Sequence, residues 1–211
     1  MGFNYNPELP KGNAMKTPKI VTASDILDME SFGKIRKQKR TEISNIKRDR
    51  RVAVGPDATF MFENYDTMWW QIHEMLFIEK GGEDQVEDEL SAYNPLIPQG
   101  NELVATLMFE IDEPERRKTL LMSLGGVEEM CCLTIDGDTI IGDSETDVDR
   151  TTAAGKASSV QFIHFNLSPD QIELFKKPDT RVSVGINHPA YGHMAIISPE
   201  VKGSLEKDLE Q

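Results

Sequence analysis

Apolar and polar positions change rhythm along this chain. After a stretch without periodicity at residues 1–18, Phe32, Ile35, Ile43 and Ile46 form a narrow stripe with gaps near seven. That spacing predicts a long helix from about Asp25 towards Asp49, capped by Thr22 or Ser24 and docked by one edge. RRVAVGPDATFMFEN predicts two short strands around a Gly55-Pro56-Asp57 turn. The spacing of Met68, Trp69, Ile72, Met75 and Leu76 predicts a helix over Tyr65–Glu79, ended by Lys80-Gly81-Gly82, and a short helix follows at Glu83–Tyr93. Further on, NELVATLMFEI, EMCCLTI, SVQFIHF and RVSVGIN alternate as strands do. Helix-like pieces lie between them at Glu113–Leu124 and Pro169–Lys176, and a polar acidic connection is expected at Asp136–Ser159. The fold class expected is therefore α+β: a long N-terminal basic helix and two short helices packed on a mostly antiparallel sheet.

The length of 211 residues with 38% apolar content suits a single domain over residues 19–211, with 1–18 as a flexible extension. The N-terminus lacks a signal-peptide core and no run is long enough to span a membrane, so a cytoplasmic protein is expected. Cys131 and Cys132 are neighbours and cannot staple distant segments. One thiol of the pair is expected to face inward and one outward.

Charge changes the picture further. The net charge is −13, yet KIRKQKRTEISNIKRDRR (Lys34 to Arg51) holds nine basic and two acidic side chains. Arg36, Lys37, Arg40, Lys47, Arg48 and Arg51 are the candidates for partner docking. Three uses are open for this helix: nucleic-acid binding, neutralisation by the acidic run Glu79–Glu89, or contact with an acidic partner or anionic ligand. No aromatic residue inside the run offers a base a stacking surface.

FMFENYDTMWWQIHEMLFIE concentrates carboxylates, amides and a histidine on one strand-turn-helix. It lacks the Glu-x-x-His of a di-iron bundle and the His-Glu-x-x-His of a zinc protease, because Trp70 and Phe77 occupy the required positions. Its polar stripe reads as solvated surface or as a network around Glu63, Gln71 and Glu74. Glu102 and Glu110 lie roughly 27 Å apart at ~3.3 Å per residue, so they cannot share an ion; pairing with Arg40, Arg48 or Arg51 is their ordinary use. In NHPAYGHM, a four-residue hairpin loop would set His188 against His193, and His164 from a neighbouring strand would complete a three-histidine set suited to iron or zinc. AAGKAS and DSETDVDR fail as phosphate and calcium loops, because residues those loops require are replaced.

RRVAVGP, FEN-x-x-T followed by Q-x-x-EM-x-x-x-E, EL-x-x-YNPLIP and ELVATLMFEI together resemble the bacterial domain-of-unknown-function family 3501, from about Lys19 onward. The family's motif polar groups fall here on Glu63, Gln71, Glu74, Glu79, Tyr93, Asn94, Glu102 and Thr106. The resemblance implies a setting: such proteins are commonly encoded beside rubrerythrin-like non-haem iron proteins and iron–sulfur proteins. An accessory role in an iron-dependent redox or peroxide-stress system follows, by partner docking or by holding metal. Two other classes stand beside it. One is an enzyme with a carboxylate-lined pocket around Glu63, Gln71, Glu74 and Tyr93; the other is a nucleic-acid-binding regulator using Lys34 to Arg51.

Overall fold

A computed structural model describes residues 19–144 and 156–210. The expected N-terminal extension and residues 145–155 of the acidic connection, which hold parts of both rejected loop motifs, lie outside them. Thr22 closes only a short 3-10 turn at Ala23–Asp25. Helix α1 (Met29–Arg48) begins later than the stripe predicts, because Asp28 caps it by accepting from the Ser31 N–H at 2.9 Å. The Leu27 N–H is given to the His73 ring at 3.0 Å instead of to a helical carbonyl, which holds the preceding residues extended.

Strands β1 (Arg51–Val54) and β2 (Ala58–Phe62) turn at Gly55, where φ is 68°. A Cβ at Gly55 would stand 2.6 Å from the His193 ring, so only glycine fits. Helix α2 (Tyr65–Glu79) starts at a reciprocal Asn64–Thr67 capping box, and α3 (Glu83–Tyr93) follows the left-handed Lys80. The chain continues through β3 (Glu102–Phe109), α4 (Pro114–Ser123), β4 (Cys131–Ile135), β5 (Asp138–Ile141), β6 (Asp143–Ser144) and β7 (Val160–Asn166). It ends with α5 (Pro169–Lys176), β8 (Val182–His188), β9 (Tyr191–Ile196) and α6 (Pro199–Leu205).

The expected polar connection after Asp136 thus begins as structure. Asp136-Gly137 is a positive-φ hairpin turn and Thr139–Ile141 are strand. At Gly142 the chain crosses between sheets with no room for a side chain, since a Cβ would meet Ile163 at 2.3 Å.

The architecture is α+β and every strand pair is antiparallel, but the strands divide into two sheets instead of one. Their orders are β1-β2-β3-β7-β6 and β5-β4-β8-β9. Phe60, Phe62, Leu103, Leu107 and Phe165 of the first sheet share a core with Leu133, Ile135, Val182 and Val184 of the second. Leu121, Phe175 and Leu205 bring α4, α5 and α6 into the same core. On the first sheet's outer face, Val104 packs with Met68, Ile72 and Leu76 of α2. Beyond α2, Trp70 packs with Phe32 and Ile43, which are the only buried residues of α1. Strand β2 therefore has helices on one face and core on the other, and all five of its residues are buried.

Candidate functional site

The motif groups are distributed among separate attachments. Glu63 is 4% exposed; its Oε1 accepts from the Thr106 hydroxyl at 2.6 Å, and its Oε2 has no protein partner. Gln71 faces α3 and hydrogen-bonds Tyr93, whose phenol is pushed up by burial with that hydrogen bond acting against it. Glu74 turns towards α1. Arg36 grips it with two hydrogen bonds of 2.7 and 2.9 Å, Arg40 adds a contact at 3.5 Å, and the Arg36 hydrogen bond holds the carboxyl below its usual range. Glu79 and Glu89 both accept from the Gln85 amide. Asn94 spends its whole amide on the Val21 backbone at 2.8 and 2.9 Å. Glu102 accepts from His164 at 3.0 Å, and Glu110 pairs with Arg51. Glu63, Gln71, Glu74 and Tyr93 take different partners, Gln71 and Tyr93 each other, Glu63 the Thr106 hydroxyl and Glu74 the arginines of α1, and none of them lines the three cavities described below. These groups fix elements to one another.

The histidine set does not assemble either. The turn of the last hairpin is only Pro189–Ala190, so His188 pairs with Tyr191, and His193 lies opposite Ile186. The Ala190 N–H donates to His188 Nδ1 at 3.1 Å, which leaves the proton on Nε2 to donate to the Gly125 carbonyl at 3.3 Å. His193 rests edge-on against Tyr191, with ring centres 4.6 Å apart. His164 belongs to the other sheet and is held by Glu102. Among the described residues no three of His, Cys, Asp and Glu come together in a group that could hold a metal ion. Cys131 lies in the shared core and Cys132 on the outer side of its sheet; burial pushes both thiols up, away from the reactive thiolate.

Arg50, Tyr191 and His73, none of them among the candidates above, organise the fold. Arg50, counted above as part of the basic run, is fully buried. It donates to the Phe62 and Glu63 carbonyls at 2.8 and 2.9 Å, and to Ser204 and Asp208 of the C-terminal segment. Tyr191, between the two histidines, accepts from the Asp57 and Ala58 N–H groups at 2.8 and 2.9 Å and donates to the Val54 carbonyl at 2.9 Å. His73 is fully buried, its Nδ1 2.7 Å from the Trp69 carbonyl and its Nε2 taking the Leu27 N–H. The one available signal is the strand onset at Arg50-Arg51, where alternation sends one arginine in and one out.

Three cavities stand out among the described residues. A cavity of about 770 Å³ lies between Ile26–Met29, the end of α2 and the start of α3, lined chiefly by Ile26, Leu27, Met29, Phe77 and Val86. A second, of about 450 Å³, lies on the outer side of the second sheet. The third, of about 400 Å³, sits where the end of α1 meets β1; it is lined by Arg40, Ser44, Lys47, Arg48 and Arg51 over Ile43 and Trp70. No carboxylate lines it. Three of its four cations already meet acids outside the lining: Arg40 meets Glu74, Arg48 meets Asp49 and Arg51 meets Glu110. Lys37 and Lys47 have no ionic partner among the described residues. Among the described residues no carboxylate of Glu79–Glu89 forms an ion pair with the basic helix, whose acids are Glu30, Glu42, Asp49, Glu74 and, at Arg51, Glu110.

The family model described as "Protein of unknown function (DUF3501)" matches residues 20–209. The chain belongs to this family. It is also similar to a crystal structure of a novel protein of unknown function from Burkholderia pseudomallei, with 35% identity and a TM-score of 0.83. That match covers 90% of this chain and 99% of the other. No curated protein matches. The matched span holds every attachment described above, from Val21–Asn94 to Arg50–Asp208.

Proposed function

We propose that this protein works by contact, receiving an acidic segment of a partner protein in the cationic cleft at the α1–β1 corner. The observation that carries this reading is the cleft's lining. Four cationic side chains and no carboxylate surround a floor of Ile43 and Trp70, in a chain whose net charge is −13. Guanidinium groups match carboxylates two bonds at a time, and the floor accepts an apolar side chain between them. Such a cleft speeds encounter and makes binding sensitive to salt. Arg36 and Lys37 extend the basic surface along α1, although Glu74 already occupies Arg36.

The role is that of an accessory protein, cytoplasmic and built as a single domain over residues 19–211. The iron-dependent redox or peroxide-stress setting comes from the family's genomic neighbourhood and names the first partners to try, rubrerythrin-like and iron–sulfur proteins. The test is a binding titration of the full chain with the rubrerythrin-like protein, repeated with Lys47→Glu and Arg48→Glu together. The reading expects at least tenfold weaker binding for the double variant, about 1.4 kcal/mol, and a steep loss with salt in the wild type. Binding that ignores both changes overturns it. A parallel titration with duplex DNA at low salt is expected to be flat, and saturable DNA binding lost in the same variant would transfer the cleft to nucleic acid.

A further inference from the structure

The start of α1, the end of α2 and the start of α3 enclose the groove of about 770 Å³. Its wall is apolar: Ile26, Leu27, Met29, Phe77 and Val86 line it, and none of the five is fully buried. Local features keep it open. The Leu27 N–H is tied to the His73 ring at 3.0 Å, which holds the residues before α1 extended beside α2 in place of a further helical turn. On the other side, the left-handed Lys80 and Gly81-Gly82 turn the chain away from α2 into α3. A Cβ added at Gly82 would meet nothing within 4 Å, so the groove runs out to solvent there.

The rim is acidic. Asp28 and Glu83 stand in the lining with Lys80. Asp84, Glu87 and Asp88 continue along α3, all exposed, and neither they nor Glu79 and Glu83 have an ionic partner among the described residues. The cations of α1 nearest the groove are already used: Lys34 pairs with Glu30, and Arg36, above the Phe77 ring at 4.7 Å, pairs with Glu74. The helix dipole accounts for Glu83 and Asp84 in the first turn of α3, but not for Glu87 and Asp88 one turn further in. Glu83 and Glu87 are four residues apart, a spacing at which like charges repel.

We propose that this groove receives an amphipathic basic segment of a partner protein, with its apolar side chains between α2 and α3 and its lysines or arginines against the acids of α3. The volume lies within the roughly 300–1,000 Å³ of clefts that bind ligands. A helix that lays apolar residues at every third or fourth position into such a groove is a recurring mode of protein recognition. Charge selects the occupant. An acidic segment is repelled by the unpaired carboxylates, and a neutral apolar one leaves them unanswered; a basic one relieves their mutual repulsion. The groove lies at the opposite end of α1 from the cationic cleft. Met29 and Lys47 are roughly 27 Å apart along the helix at ~1.5 Å per residue, so the two surfaces do not compete.

The proposal is independent of the cationic cleft and is tested separately. The probe is a labelled peptide with leucines at every third and fourth position and lysines between them, titrated with the full chain and followed by fluorescence anisotropy. Saturable binding that weakens as salt rises is expected. Glu83→Lys with Glu87→Lys, both exposed, leaves circular dichroism unchanged and weakens binding at least about tenfold. Glu173→Lys with Asp179→Lys makes the same change of net charge at exposed positions outside the groove and leaves the affinity within about twofold. A peptide with serine in place of leucine, and one with glutamine in place of lysine, each bind at least about tenfold more weakly. The absence of saturable binding overturns the proposal, as does an equal loss in the two double variants or undiminished binding of either altered peptide. A tightening of about tenfold in Lys11→Glu with Lys16→Glu also overturns it, by assigning the groove to the chain's own first residues.

Discussion

The outer faces of the two sheets stand in contrast. The first sheet's is roofed by helices, and its polar groups are held by neighbours: Glu63 by Thr106, Glu102 by His164, Gln71 by Tyr93. The second's is bare among the described residues and carries no charge. Glu63, Gln71 and Glu102 of the motifs therefore fasten layers of this fold to one another, while the second sheet's outer face holds none of the motif polar groups. A buried polar group held by one specific neighbour restricts how two elements meet, and that restriction is a sufficient physical reason for its presence.

The largest test of this contrast is to break a fastening. Asp208→Ala leaves the fully buried Arg50 without its carboxylate, and chemical denaturation should show a loss of about 3–5 kcal/mol. Replacing both partners, Arg50→Met with Asp208→Leu, should cost less than that single change. Next comes Tyr191→Phe, which removes one donor and one acceptor shared among three backbone groups of the β1–β2 turn. A loss of about 1–3 kcal/mol is expected from the same measurement.

A smaller effect depends on pH. Burial pushes His73 below its ordinary value of 6.5, so the unfolded chain takes up a proton at a higher pH than the fold does. The contribution of neutral His73 is fully present above about 6.5 and is lost as the pH falls below it. Denaturation midpoints measured from pH 7.5 to 5 should decline less steeply in His73→Gln than in the wild type. The smallest expected effect is at the bare face. Met194→Lys should change stability by no more than about 0.5 kcal/mol, in keeping with a surface that plays no part in holding the chain together.

How much of this was legible in the sequence follows from what fixes each feature. The α2 and α3 boundaries follow local rules, a capping box at Asn64–Thr67 and breakers at Lys80–Gly82, and those rules can be read from residues alone. β5 was hidden because Asp136, Asp138 and Asp143 make its surroundings look like an acidic loop, although Asp136-Gly137 is a hairpin signal. Trp70 and His73 escaped assignment to a buried face because α2 is covered on two flanks, and one apolar arc cannot report two partners. The histidine pair failed on two residues of turn length, which moved His193 opposite Ile186. Arg50 could not be told from Arg51 by composition, since only the fold decides which arginine turns inward. The cleft draws on α1, α2 and β1 together, so the basic run pointed to its charge but not to its Trp70 floor.

The most direct test of the central claim is a backbone-amide NMR titration of the full chain with a short peptide of glutamates and aspartates around one leucine. The account predicts saturable shifts centred on Arg40, Ser44, Lys47, Arg48, Arg51 and the Trp70 indole, and their loss at high salt. Shifts spread evenly over exposed lysines, or centred away from that corner, would contradict it.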